Sequence, residues 1–432
     1  MRNASASSPV LPQELIDEIL GHLWNDIPSL HSCTLVHSSW LPTSRLHLFH
    51  TLNVTCEVKT HSPAFQNLMA SLRFGDLSDK CHLIFELCLR GSDTSSSSER
   101  QGPLFISTLA MIITQIPNLR RLELRNLHIA VDVTPENFRR AACDSVESLV
   151  MISVMIISTG DSSGNRLGRL YALFPRIQEL QLSQFYLEEE SDHFPLATGR
   201  TFPSLRSFAV SLMDYTTDPE ELIIIYRRLL SVSPVLRLYV FGFDTRSGTG
   251  WVAAGRNTLE HLHLQISGTS QRFNPNVFDL SLFSRLKSVH ISVEIEPLDR
   301  RVFAKMDGKP LRDLFTFIQS VLLDAGYPPQ LQSLILKLRV ISQNLTHTAL
   351  EFAPNSLSKW EEMGDAINLM SSEMEVTVII LEHLRGMGRR SDWEQMDSWM
   401  TATRLGDPEL KLKACKNIYK SGRFDVVNMR AF

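Results

Sequence analysis

Leu119-Arg120-Arg121-Leu122-Glu123-Leu124 places apolar residues at the first, fourth and sixth positions of a hexad and charged residues at the others. The alternation from Leu122 to Leu124 is that of a strand with one face buried. The spacing recurs on both sides of this stretch. Ile84-Leu87-Leu89 precedes it, and Val146-Leu149-Met151, Ile177-Leu180-Leu182 and Leu205-Phe208-Val210 follow. Val235-Leu238-Val240, Leu259-Leu262-Leu264, Leu286-Val289-Ile291 and Leu331-Leu334-Leu336 continue the series, and Val376-Ile379-Leu381 is a weaker tenth copy. Successive middle anchors lie 24 to 35 residues apart as far as Val289, then 45 and 45. Self-similarity at such intervals marks a chain built from stacked units, one strand to each.

Helix starts fall between several copies: Thr134-Pro135-Glu136, Asp218-Pro219-Glu220-Glu221, and the amphipathic segment Leu311 to Leu323 with Leu314, Ile318 and Val321. Strand, loop, helix and strand again give an α/β fold around a parallel sheet. The pattern resembles leucine-rich repeats. That resemblance implies an irregular solenoid over residues 51–385, with parallel strands on the concave face and helices outside. The asparagine such repeats carry three positions after the third anchor is replaced here by Leu127, Val154, Phe185, Met213, Ser267, Glu294 or Arg339. Without an asparagine ladder the arc is expected to vary in curvature. Gly91 to Gly102, with four consecutive serines from Ser95 to Ser98, reads as a mobile loop. A capping box at Ser391-x-x-Glu394 and the start Asp407-Pro408-Glu409 predict a C-terminal helical cap over 386–432, with Lys413, Lys416 and Lys420 on one helical face.

The composition narrows the partners. Among 432 residues, 43 basic and 47 acidic side chains spread along the chain leave a net charge of -4, so nucleic acid is not an expected partner. Six cysteines without a C-x-x-C pair suggest neither a disulfide framework nor a zinc knuckle. Residues 1–10 are polar, rich in Ser and Ala, and read as a disordered N-terminus with no secretory signal. The longest apolar run, Leu149 to Ile157, is far shorter than the roughly 20 residues that span a bilayer. A soluble protein of the cytoplasm, the nucleus or both is expected, without membrane contact.

Residues 11–50 have a different rhythm. Leu15, Ile16, Ile19, Leu20 and Leu23 fall at helical spacing against Gln13, Glu14, Asp17 and Glu18. Pro12 suits a first helical position, and Pro28 opens a second helix carrying Leu30, Cys33, Leu35 and Val36. Trp40 precedes a third segment with Leu46, Leu48 and Phe49. Leu11-Pro12-x-Glu14-Leu15 followed by Leu35-Val36-x-x-x-Trp40 resembles the F-box, as found in fungal-type F-box proteins with degenerate leucine-rich repeats. It departs from that pattern at His37, where cysteine is common, and at Ser38-Ser39, where a basic residue is usual. The resemblance implies docking onto the Skp adaptor, and through it a cullin, by Leu11, Pro12, Leu15, Ile16, Ile19, Leu20, Leu30, Leu35 and Val36. Trp40 is expected to pack inside the module. An apolar surface of that size predicts poor solubility without a partner.

No H-E-x-x-H, G-x-S-x-G or G-x-x-x-x-G-K-[ST] occurs, and Gly248-x-Gly250 and Ser284-x-x-Lys287 lack the context their chemistry needs. Neither catalytic residues nor a cofactor is expected. On the strands, residues between anchors face away from the core, so His261 and His263 share one surface and His290 is expected beside His263 on the next strand. Three imidazoles suit zinc, but no fourth ligand is evident, and a polar binding surface is expected instead of a metal site. The same register exposes Arg121, Glu123 and Arg125, then Glu179 and Gln181, then Gln265 and Lys337. This mixed-charge wall is where an unidentified protein substrate is expected to sit. The resulting expectation is a non-catalytic, substrate-recognising subunit of an SCF-type ubiquitin ligase acting by proximity. Two alternatives stand beside it: a module that binds Skp without ubiquitination, and an α/β hydrolase.

Overall fold

The computed structural model describes residues 11–24, 26–56, 63–75, 77–91, 103–131, 144–158, 170–187, 202–211, 219–242, 249–267, 279–295, 328–342, 375–384 and 417–418. The chain is α/β, with parallel strands throughout the described pairings. It divides into two compact units, Met1–Ile177 with Phe185–Arg200, and Gln178–Gln184 with Thr201–Phe432.

The first unit opens with the three short helices that apolar spacing predicted, α1 (Gln13–His22), α2 (Ile27–Val36) and α3 (Leu41–His50). Thr51 follows α3 directly and begins β1 (Thr51–Cys56). After α4 (Pro63–Phe74) come β2 (Glu86–Gly91), β3 (Leu104–Phe105), α5 (Ile106–Thr114), β4 (Arg121–Val131) and β5 (Ser148–Ser158). The chain then gives β6 (Glu179–Ser183) to the second unit and returns with β7 (Tyr186–Leu187), which pairs with the end of β5. Strands β1, β2, β4 and β5 lie side by side with anchors in register: Leu52 beside Leu87, Leu87 beside Leu122, Leu122 beside Leu149. Each middle anchor from Leu87 to Leu149 is at most 1% exposed. The α5 side chains Ile106, Leu109, Ile112 and Ile113 are buried in the same unit.

β1 is a copy of the repeat that begins earlier than residue 80. Phe49, Leu52 and Val54 have the first, fourth and sixth spacing, so the signal was in the sequence. Its half-exposed position at the sheet's edge explains its weaker apolar contrast.

The second unit continues the pattern with β6, β8 (Ser207–Ser211), α6 (Pro219–Val232), β9 (Arg237–Phe241), the short helix α7 (Thr249–Val252), β10 (His261–Ser267), β11 (Ser288–Ile295), β12 (Ser333–Ser342), β13 (Glu375–Leu384) and β14 (Asn417–Ile418). Leu180, Phe208, Leu238, Leu262, Val289 and Leu334 occupy one continuous row. Helix α6 starts where Asp218-Pro219-Glu220-Glu221 placed it. It covers the anchor face: Tyr226 lies 5.6 Å from Phe208 on one side and 5.6 Å from Trp251 on the other, ring centre to ring centre, all three buried.

A shared backbone device sets the register. The carbonyl of Phe85 accepts from both Arg120 and Arg121 N–H groups, at 2.8 and 3.0 Å, and that of Arg120 accepts from Glu147 and Ser148. In the second unit the carbonyls of Gln178, Arg206, Leu236, Glu260 and Lys287 each accept two N–H groups from the next strand's entry in the same way. A carbonyl with two lone pairs serves both donors, so each repeat's start is pinned to its predecessor.

The tenth copy is corrected by pairing. Val376 lies beside Leu334 and Val378 beside Leu336, so the anchors sit three residues earlier than Ile379 and Leu381. An odd shift exchanges the faces of a strand, and the period-two run Val376, Val378, Ile380 matches Leu334, Leu336, Leu338. Where a helical cap was expected over 386–432, the described piece is a strand, Asn417–Ile418, parallel to β13. The remainder of that cap, residues 1–10, most of Gly91 to Gly102, and the helix starts at Thr134 and Leu311 lie outside the described residues. No helix among the described residues is long and apolar enough to cross a membrane.

Candidate functional site

The N-terminal helices sort their apolar residues into two ridges. Ile16, Leu20, Leu30 and Cys33 are buried together, with Leu23, Trp40 and Leu48 packed against them. Ile16, Leu20 and Leu30 of the expected docking set thus lie in the module's own core, and Trp40 packs against it. Leu15 and Ile19 on α1, and Leu11 just before it, remain exposed. At the end of α2, Leu35 is 87% and Val36 62% exposed. Pro12 is also exposed. Trp24, 55% exposed, and Ile27 add to the apolar surface. Sequence reading missed both, although five apolar residues within Leu15 to Leu23 already span a wider arc than one packed face can cover.

Polar contacts hold this module in shape while leaving the apolar ridge open. Thr43 Oγ1 on α3 and Gln13 Nε2 both donate to Asp17 Oδ1 on α1. Gln13 Nε2 also donates to the Ser39 carbonyl at 3.2 Å. The hydrogen bond from Thr43, then that from Gln13, holds the Asp17 carboxyl below its usual range. Asp26 caps α2 by accepting from Ser29 N–H at 3.1 Å and Ser29 Oγ at 2.7 Å. The carbonyl of His50 accepts from Phe85 N–H at 2.9 Å, and the two rings stack 5.3 Å apart, so the module is fastened to the first strands of its own unit.

The outward face of β4 in the first unit carries Arg121, Glu123 and Arg125, as the register predicts. These three satisfy one another: Glu123 pairs with Arg125 and lies 3.8 Å from Arg121. Cys88 on β2 faces Glu123; burial, and then that carboxylate, raises its thiol to about 11. A thiol in that state is inert rather than nucleophilic.

The second unit's outward face carries a row of aromatic and imidazole rings. Across it, Gln181, Ala209, Tyr239, His263, His290 and Ile335 stand in one row. His263 and His290 are stacked, 3.9 Å between centres and 20° between planes, as their predicted adjacency allows. Tyr239 meets His263 edge-on at 5.8 Å, and Phe241 at 6.0 Å. His261 lies one row away, its Nδ1 2.7 Å from Ser288 Oγ. Burial, followed by the positive charge of Arg237, lowers its pKa. The imidazoles therefore stack or bond sideways instead of converging on a point, and among the described residues no three His, Cys, Asp or Glu side chains could hold a metal ion. Glu260 beside this row is held by Lys287 at 2.7 Å and Arg285 at 2.9 Å, a pairing the sequence did not reveal. The β12 residue Lys337 stands in the row that contains Phe241, Gln265 and Ser292.

A scan of the chain against protein-family models matched none, and a search of curated proteins returned no relative.

Proposed function

We propose that the chain is the substrate-recognition subunit of an SCF-type cullin-RING ubiquitin ligase, with residues 11–50 acting as an F-box and the parallel strands as a leucine-rich-repeat-like solenoid. The observation that carries this is that Leu11, Leu15, Ile19, Leu35 and Val36 are all exposed on a module that already has a buried core of its own. Apolar side chains so placed gain free energy only by covering, and an adaptor with a complementary groove covers them. The role is non-catalytic. Skp fixes the receptor to the cullin, the strand face holds a protein substrate, and raised effective concentration near a separately recruited conjugating enzyme drives lysine modification.

A pull-down with purified Skp and cullin together tests this. Wild type is expected to retain Skp and cullin, while Leu15→Asp and Ile19→Asp lose both, because a carboxylate is costly in an apolar interface. Both positions are exposed, so both variants are expected to fold like wild type. Equal recovery of Skp by all three proteins defeats the F-box assignment. Recovery of Skp without cullin defeats the ligase role and leaves an adaptor-bound binding module.

A further inference from the structure

The first unit holds a cavity that adaptor docking does not use. Its volume is about 210 Å³, and it is lined by Asn126 and His128 on β4, Ser153 and Met155 on β5, and Tyr186 on β7. All five belong to that unit and are half-buried. Strand register places them there. Leu127, Ile129, Val154, Ile156 and Phe185 turn into the core, so the residues alternating with them turn the other way. Parallel pairing sets Met155 between His128 and Tyr186, a thioether flanked by an imidazole and a phenol. Asn126 and Ser153, two positions earlier on β4 and β5, take left-handed backbone with φ of 50° and 53° and bring an amide and a hydroxyl to the same cavity. A cavity of about 150 Å³ admits benzene and drug-sized pockets begin at about 300 Å³, so this one suits one or two fused rings. Among the described lining residues there is no carboxylate, lysine or arginine, so an ionic group would gain no partner.

We propose that this cavity binds a neutral nitrogen heteroaromatic of the purine-base class, its ring packed on the Met155 thioether between His128 and Tyr186 and its edge groups bonded to Asn126 and Ser153. The site is separate from the adaptor-facing helices, and its occupancy does not depend on them. A polarisable sulfur is favourable against an aromatic ring, and the imidazole and phenol add edge or offset contacts. An amide supplies a donor and an acceptor side by side, and a hydroxyl supplies both at one atom. That matches the adjacent N–H and ring-nitrogen groups along the edge of a base. A hydrocarbon ring would fill the same space and use none of these groups. A nucleotide's phosphate would need a cation that the described lining lacks.

The test is ligand-observed NMR titration of the full chain with three probes: adenine, the hydrocarbon indene and adenosine 5′-monophosphate. Adenine is expected to bind most tightly of the three. Met155→Trp fills the cavity and is expected to weaken adenine binding at least about tenfold, since an occluded ring loses its stacking and edge contacts together. His128→Ala, which removes one flanking ring, should weaken it as well. Met155→Leu, a swap of similar volume, and Phe74→Ala, at an exposed position elsewhere in the unit, should leave it within about threefold of wild type. Thermal melting of each variant confirms folding, and His128→Ala decides the matter if Met155→Trp does not fold. Absence of adenine binding to wild type overturns the proposal, as does undiminished binding in folded Met155→Trp or folded His128→Ala. Indene binding as tight as that of adenine, or tighter binding of the monophosphate, overturns the assigned ligand class.

Discussion

At the scale of single residues, burial separates positions that look alike in sequence. Leu122 and Leu35 are both leucines in apolar patterns, yet one is fully buried and the other is 87% exposed. Leu122→Ala is therefore expected to cost about 2–5 kcal/mol, from lost transfer free energy plus the cavity left behind. Leu35→Ala should change folding stability little, and urea denaturation compares the two. Charge at Asp17 gives a second expectation. Its carboxyl titrates below its ordinary value because Thr43 and Gln13 donate to the ionised form. The folded state thus binds fewer protons than the unfolded one in that window. The Asp17–Thr43 contribution is present above the ordinary carboxylate value of about 4 and is lost as pH falls through the lower folded value. Denaturation midpoints recorded between neutral and acid pH are expected to fall less steeply in Asp17→Asn than in wild type.

At the scale of the element, four of the repeats take left-handed backbone at the same place. Asn126, Ser153 and Gln184 have φ near +50°, and Gly242 has φ +71°, each two residues after a third anchor. In β4 and β5 this left-handed residue reverses the alternation. Leu124 and Leu127 are both buried although three apart, and so are Met151 and Val154. Leu127 and Val154 thereby lie side by side in the core, and Phe185, three positions after its own third anchor, is buried as well. Asn tolerates left-handed backbone, whereas a β-branched residue does not. Asn126→Val is expected to be less stable than Asn126→Gly by about 1–2 kcal/mol from backbone strain, as read by thermal melting of the two variants. The anchors were legible from sequence because burial of one face imposes period two. The bend was not, because Asn126, Ser153, Gln184 and Gly242 share a conformation and no side-chain chemistry. The tenth copy misled for a related reason: Val376 to Leu381 is apolar at both parities, and only pairing with β12 chooses between them.

At the scale of the whole chain, the two candidate surfaces differ in how much the sequence disclosed. The His263–His290 neighbourhood followed from anchor spacing alone, since parallel register carries one strand's row into the next. The exposed apolar surface of the N-terminal helices was legible, but not which of its residues turn inward, because three short helices leave that to packing; Ile16 and Leu20 did, Leu15 and Ile19 did not. That choice has a consequence for the isolated protein. Leu11, Leu15, Ile19, Trp24, Ile27, Leu35 and Val36 are exposed within one small module. Soluble monomers seldom leave apolar patches beyond a few hundred Å² uncovered, and association covers them in the absence of a partner. The full chain without an adaptor is expected to self-associate in sedimentation velocity as its concentration rises. The triple variant Leu15→Asp, Ile19→Asp, Leu35→Asp should sediment as a monomer, because like charges on facing ridges repel and carboxylates resist burial. Added Skp should dissolve the wild-type oligomers and leave the variant's profile unchanged. Oligomers that persist equally in the variant would place self-association elsewhere on the molecule, and the ridge would then have no measurable demand for a covering partner.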